Sequence, residues 1–350
     1  MIRTAAAVFT AFVVANATFR GKTPFNQYKE MMDMYMSYEL QLFRQPPTKI
    51  IDNGKVIFVL YKKVNGVMFR SVERKRHNGS LHKGLFDCKI PLKVGIHGWQ
   101  QTMKSLFVRK MKEAYLKSMN SIQIVIVRWF GADNNYPAAK MSIPEVARVV
   151  YRYLKRLTEE SCIQFQDITL IGHSLGAQLA GAIGNLANGS IGNMVALEPA
   201  NPTFFAETLT SVSAVSARWV IGVHTNPGYY GVDYNVGHVD FWINMGESPQ
   251  PSCLRAYSGN TNTYEKFSAF RGQSTQNFHY ADPIVMQLAC SHEKAIHLFF
   301  ESVQHPLEYV SQECICTHTS HCVFPNHGVV SMVFFNEMIR TFGQFCFFTS

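Results

Sequence analysis

The sequence predicts an α/β fold, a central and mostly parallel sheet flanked by helices, on three observations. Short apolar runs rich in β-branched residues alternate with stretches of helical periodicity, the pattern of parallel strands covered by helices. The chain has 350 residues, enough to bury a full core within one domain. Its composition, 47% hydrophobic against 16% charged, is that of a packed globule and excludes an extended disordered chain.

Strands are predicted at 56–61, 92–96, 122–127, 168–171, 194–197 and 219–223, each a short and mostly apolar run. The clearest helix is predicted to begin at Ser142-Ile143-Pro144-Glu145, which reads as a capping box with proline in the first turn. Val146, Val149, Val150, Tyr153, Leu154 and Leu157 then recur at helical spacing and form one buried face, leaving Lys155 and Arg156 to solvent. No internal repeat, low-complexity linker or long charge run divides the chain, so residues 18–350 read as one domain.

The first 17 residues read as a secretory signal peptide, with Arg3 as the charge, an apolar region over 4–14 and Ala15-Asn16-Ala17 as the cleavage site. A spanning helix would need about 20 apolar residues, and Arg20 and Lys22 interrupt this stretch. Export to the extracellular space agrees with eight cysteines, which pair in oxidising compartments. It also agrees with glycosylation acceptors at Asn78-Gly79-Ser80 and Asn188-Gly189-Ser190. A formal charge of +9 favours anionic surfaces such as phospholipid headgroups. No basic motif interleaved with aromatics suggests a nucleic-acid partner, and the cluster of Arg70 with Arg74-Lys75-Arg76 reads as a solvated loop.

The chemistry begins at Gly172-His173-Ser174-Leu175-Gly176. A serine hydroxyl is a weak nucleophile at neutral pH and needs a histidine base with a carboxylate behind it. Gly-x-Ser-x-Gly supplies a tight strand-to-helix turn that only small flanking residues permit, and it is the signature of an α/β-hydrolase. Here it follows the strand at 168–171 and precedes a small-residue helix over 177–187. In that fold class the order is serine, acid, histidine. The acid is expected at the end of the next strand, where Glu198 opens Glu198-Pro199-Ala200. The base is expected on a late loop, with His224, His238, His279, His292, His297 and His305 as candidates. An oxyanion hole needs two backbone N–H groups. Leu175, after the nucleophile, and Trp99, in His97-Gly98-Trp99 at the end of an early strand, are assigned to it.

These residues resemble the animal pancreatic-lipase family, from about Val56 to the chain end. The resemblance rests on an ordered set: Ile96-His97-Gly98-Trp99, Gly172-His173-Ser174-Leu175-Gly176-Ala177, Leu197-Glu198-Pro199-Ala200, Val223-His224-Thr225, Val236-Gly237-His238-Val239-Asp240-Phe241 and Ala289-Cys290-Ser291-His292. It implies Ser174 as nucleophile, Glu198 as acid and His292 as base, with oxyanion donors on Trp99 and Leu175. His238 and Asp240 fall in a stretch that it implies is structural. The resemblance further implies a Cys253–Cys290 disulfide bounding a lid over about 254–289, whose Phe267, Phe270, Phe278 and Tyr280 either meet lipid or pack inward. It pairs Cys314 or Cys316 with Cys322 and leaves Cys88, Cys162 and Cys346 unassigned.

Three departures from the family follow. Glu198 stands where most catalytic members carry aspartate, and its extra methylene carries the carboxylate roughly 1.5 Å further. The segment 208–216 contains no carboxylate where calcium-binding members place an acidic set, so no metal and no cofactor is expected. The chain ends at Gly343-Gln344-Phe345-Cys346-Phe347-Phe348, where the family's catalytic domain ends, so neither a C-terminal β-sandwich domain nor dependence on colipase is expected. The expectation is a secreted lipase of broad ester range working at a lipid–water interface or anionic membrane surface. The long Cys253 to Cys290 segment resembles that of triacylglycerol lipases, whereas the short loop at 226–231 resembles that of insect lipases and sn-1 phospholipases, the alternative substrate class. Glu198 suggests a lipase-like carrier of weak or absent catalysis.

Overall fold

The computed structural model describes residues 56–74, 86–201, 204, 209–257, 283–317, 321–324, 329–331 and 342–349. The expected signal segment, Asn78, the cluster at 74–76 beyond its first residue, His279 and the middle of the expected lid, 258–282, lie outside them.

A hairpin of β1 (Val56–Val64) and β2 (Val67–Arg74) turns at Asn65-Gly66, both in the left-handed region that glycine tolerates and asparagine often accepts. Next come β3 (Leu92–Ile96), helix α1 (Leu106–Ser118), β4 (Ile122–Trp129) and helix α2 (Tyr136–Glu160). They are followed by β5 (Ile168–His173), helix α3 (Leu175–Leu186), β6 (Asn193–Leu197), β7 (Trp219–His224) and β8 (Val239–Ile243). Short helix α4 (Pro251–Tyr257) and long helix α5 (Pro283–Gln304) precede the last strands: β9 (Val310–Glu313), β10 (Ile315–Thr317), β11 (His321–Val323), β12 (Val329–Ser331) and β13 (Gly343–Phe347). Among the described residues no helix is long and apolar enough to cross a membrane.

The main sheet runs β12-β9-β13-β8-β7-β6-β5-β3-β4-β1-β2. Strands from β4 through β13 in that order are parallel, and antiparallel strands finish both edges. Helices cover the two faces. Ile122, Ile124 and Ile126 share a cluster with Phe107 and Met111 of α1 and Phe299 and Phe300 of α5. Val125 and Val127 are also buried and, by the alternation of a strand, face the other side. Burial on both faces is why these strands read as continuous apolar runs.

All six predicted strands are present, one to three residues longer in five cases. The helix predicted from Ser142 starts six residues earlier, which corrects the capping-box reading. Asn135 caps it by accepting the Ala138 N–H at 3.0 Å, and Pro137 occupies the second position. Tyr136, Ala138 and Ala139 extend the buried face forward, so ending the helix at Ser142 would strand apolar surface. Ser142 is instead interior and its hydroxyl donates to the Ala139 carbonyl at 2.7 Å.

Four disulfides join Cys88 to Cys162, Cys253 to Cys290, Cys314 to Cys346 and Cys316 to Cys322. The second ties α4 to α5. Because Asn135 and not Ser142 satisfies the helix start, Asn135→Ala is expected to lower unfolding free energy in urea by about 1 kcal/mol.

Candidate functional site

Parallel strands deliver their carboxyl ends to one edge of the sheet, and the crevice outside that edge is where ligands bind in open α/β folds. The chain leaves β3 toward β4 on one side and returns to β5 on the other, so the order switches between β3 and β5. His97-Gly98-Trp99 follows β3 and Ser174 follows β5, on the two sides of that switch.

Ser174 has φ 57° and ψ −125°, a conformation that costs a non-glycine residue about 1–3 kcal/mol. It is held there by its N–H bonding to the Leu197 carbonyl at 3.0 Å and its carbonyl accepting from Ala177 N–H at 2.9 Å. The flanking glycines are steric necessities. A Cβ on Gly172 would lie 2.4 Å from the Gly176 carbonyl oxygen, and one on Gly176 would lie 2.2 Å from that of Ile96. Gly98 packs as closely, since a Cβ there would stand 2.9 Å from both Ser174 Cβ and the His173 carbonyl. The loop after β3 therefore lies directly against the serine. Leu175 is the first residue of α3, and its N–H is one of the helix-start donors without an intrahelical acceptor. Trp99 anchors its ring by donating Nε1–H to the Asn134 carbonyl at 2.8 Å.

Glu198 follows β6 with φ 44° and is fully buried. Its Oε2 accepts from the Thr225 hydroxyl at 2.5 Å, from the Asn226 N–H at 2.8 Å and from the Thr225 N–H. Its Oε1 has no hydrogen-bond partner among the described residues. Room for the long side chain comes from Gly231, where a Cβ would sit 1.5 Å from Oε1. Burial pushes the Glu198 carboxyl up to about 7, opposed by His224 and the donors of Thr225 and Asn226.

His292 lies inside α5, not on a loop. Its ring is 4.8 Å from that of His173 and 5.6 Å edge-on from Tyr230. Its Nδ1 is buried and, among the described residues, unpartnered. Burial and then repulsion from His173 hold its pKa well below the usual histidine value, so the ring is a neutral acceptor near pH 7. The loop 226–231 touches both groups, Gly231 meeting Glu198 and Tyr230 meeting His292. Asn226 also ties that loop to α5 through the Leu288 carbonyl at 2.9 Å.

The remaining candidate histidines among the described residues are placed apart from this constellation or engaged elsewhere. His224 is buried, stacked on Trp242 and bonded to Asp240 at 2.8 Å, while Asp240 also accepts from the Val236 and Gly237 N–H groups. His238 accepts the Val220 N–H at 3.0 Å. His297 faces Glu301 on half-buried surface, and His305 faces Glu308 on exposed surface. Asn188 is exposed just after α3. The sulfurs of Cys314, Cys316, Cys322 and Cys346 lie within 4.8 Å of one another, but they are paired as disulfides and offer no thiolate to a metal.

The sequence did not reveal Thr225, Gly231, His173 or Gln101 as parts of this site. Thr225 lay in a quoted motif without a role, and no local signal marks Gly231, because its need arises only from Glu198 across the loop.

The model of the Lipase family matches residues 24–321, and the chain belongs to that family. Lipoprotein lipase of Rattus norvegicus is 34% identical over 218 residues, 60% of this chain and 43% of that protein. Phospholipase A1 member A of Mus musculus is 25% identical over 265 residues, 75% of this chain and 52% of that protein. The chain thus spans about half the length of the curated relatives it matches. A solved structure of Est1E from Butyrivibrio proteoclasticus with ferulic acid bound aligns over 41% of this chain and 49% of that one, with 12% identity and a TM-score of 0.28. That score carries no weight. The α/β-hydrolase fold rests on the strand order, the elbow and the family match.

A carboxyl raised above its ordinary 4.5 favours the fold at acidic pH, and that contribution is lost as pH rises through about 7. Infrared spectroscopy of ¹³C-glutamate-labelled protein is expected to show Glu198 titrating near pH 7. In Thr225→Val, which removes a donor to the ionised form, the midpoint moves higher.

Proposed function

We propose that the protein is a secreted carboxylic ester hydrolase acting on lipid esters, with Ser174 as nucleophile, His292 as general base and Glu198 as the acid that orients it. The observation that carries this reading is the strained Ser174 elbow with the glycine-packed loop of Gly98 and Trp99 laid against it. Strain of that kind persists where the surrounding structure over-determines it, and it lifts a hydroxyl clear of the sheet.

In this reading the Ser174 hydroxyl attacks the ester carbonyl while His292 Nε2 takes its proton. The charge that develops on the carbonyl oxygen is met by the N–H groups of Leu175 and Trp99, donors already fixed before reaction. His292 then returns the proton to the departing alcohol, and a water activated by the same ring releases the acid from the serine. The ring must hold a proton on Nδ1 for Nε2 to accept, and Glu198 Oε1 is the acceptor that would orient it. Both atoms are buried and unpartnered among the described residues, so a single hydrogen bond between them would satisfy two orphans. Catalytic hydrogen bonds commonly tighten only with substrate bound.

Lipid esters are the substrate class supported by the family match and by relatives whose names are lipoprotein lipase and phospholipase A1. Secretion is supported by the signal-like first 17 residues and the four disulfides. A second reading, a lipid carrier with weak catalysis, is favoured by one observation: Glu198 is committed to Thr225 and Asn226, with no hydrogen bond to His292.

A hydrolysis panel of triacylglycerol, phospholipid and short-chain esters separates the two. The hydrolase reading expects turnover that Ser174→Ala and His292→Ala each reduce by at least about 10³-fold. Wild-type protein that neither turns over an ester nor reacts with a fluorophosphonate would overturn the hydrolase reading, and lipid retained by that inactive protein would support the carrier. Since a Cβ at Gly231 would strike Glu198, Gly231→Ala is expected to lower turnover toward the ~10⁴-fold loss of a misplaced acid. Adding Glu198→Asp, one methylene shorter, should restore part of it.

A further inference from the structure

Gln101 touches no reacting atom, yet its side chain is buried at 5% exposure between two pieces of the site. Its Oε1 accepts the Gly98 N–H at 2.8 Å, and its Nε2 stands 3.3 Å from His173 Nδ1. A backbone N–H can only donate, so the first bond fixes which end of the amide is oxygen. The other end is then a donor, and His173 Nδ1 must accept. The proton of His173 therefore sits on Nε2, which donates to the His292 carbonyl at 3.1 Å. Burial holds the His173 pKa down to about 4, so the ring stays neutral at pH 7 and keeps this one tautomer.

Gly98 is held on its carbonyl side as well. His97 Nδ1 lies 3.0 Å from that oxygen and the Gln101 N–H lies 3.3 Å from it. Burial keeps the His97 pKa down to about 3, so Nδ1 donates and the neutral ring leaves Nε2 bare. A trans peptide is planar, so the Gly98 carbonyl and the Trp99 N–H point in opposite directions. Fixing one aims the other. Because a Cβ on Gly98 would meet Ser174 Cβ, the peptide so fixed lies beside the nucleophile.

We propose that Gln101 is a positioning residue that locks the oxyanion loop to the base helix. Through Gly98 it sets the direction of the Trp99 N–H, and through the tautomer of His173 it sets where the His292 backbone sits. One chain of hydrogen bonds, Gly98 to Gln101 to His173 to His292, thereby couples the ends of β3 and β5 to α5. The inference rests on the reading of Ser174, His292 and Trp99 as the catalytic groups, but its first test does not depend on activity.

In ¹⁵N-histidine-labelled protein, long-range proton–nitrogen correlations are expected to show His173 protonated on Nε2 and His97 on Nδ1. Gln101→Glu keeps an acceptor for Gly98 but has no proton for His173, so the His173 titration should move up toward neutral pH as the ring becomes a double donor. Gln101→Met keeps the volume and the backbone bond to the Gly98 carbonyl but removes both side-chain bonds, to the Gly98 N–H and to His173. It is expected to lower kcat by about 10–100-fold with KM within about twofold, less than the loss of a whole oxyanion donor. His173 protonated on Nδ1 in the wild type, an unmoved titration in Gln101→Glu, or wild-type kcat in Gln101→Met would each overturn the proposal. Wild-type protein with the expected tautomers but no ester turnover would remove the hydrolase reading and leave the coupling standing. Should Gln101→Met fail to fold, the wild-type tautomers and Gln101→Glu still decide.

Discussion

The close approach of two backbones, the turn at Ser174 and the loop after β3, is the constraint on which the rest of the site depends. Neither segment tolerates a side chain at the contact. Gly172 and Gly176 let the chain reverse from β5 into α3 within a few ångströms of the Ile96 carbonyl, and Gly98 rests on the serine itself. The contact is affordable in a folded protein because β3 and β5 are neighbours, paired from Leu92 opposite Ile168 to Ile96 opposite Gly172. Their shared register fixes where both loops begin. Conformational strain at Ser174 is thus carried by the sheet, whose β5 residues are all buried.

Glu198 shows how a buried carboxylate is accommodated by residues of several segments. Its backbone bends into the left-handed region, its Oε2 gathers three donors from Thr225 and Asn226, and Gly231 leaves the volume its second oxygen fills. Burial alone would favour the neutral carboxyl, whereas the donors favour the ionised one, and the balance sets its titration near pH 7. Beside it, Asp240 anchors buried His224 and the backbone N–H groups of Val236 and half-buried Gly237. That network stiffens the loops after β7 and before β8, the same loops that supply Thr225 and Asn226. Gln250 adds to this by donating to the Thr225 and Ile243 carbonyls while its N–H meets Ser291, the residue before His292.

Strands of the sheet were legible in the sequence because burial on both faces writes them as unbroken apolar runs, and the elbow was legible because its glycines are local requirements. The start of α2 was misplaced for an equally physical reason. Ser142-Ile143-Pro144-Glu145 meets the local rule for a helix start, but the buried face extends back to Tyr136 and Asn135 offers a cap there. Tertiary burial outweighed a cap worth about 1 kcal/mol.

By itself the sequence determined what is encoded within a few residues: the α/β alternation, the Gly-x-Ser-x-Gly turn, the position of a carboxylate after β6 and the family to which the ordered motifs belong. Only the tertiary structure decided how those pieces meet. That Glu198 bonds to Thr225, that Gly231 makes room for it, that His173 bridges Gln101 to His292 and that His224 pairs with Asp240 are contacts between residues 16 to 119 positions apart. Hydrogen bonds and steric exclusion act over a few ångströms, and no local pattern records which distant segments the fold will bring within that range.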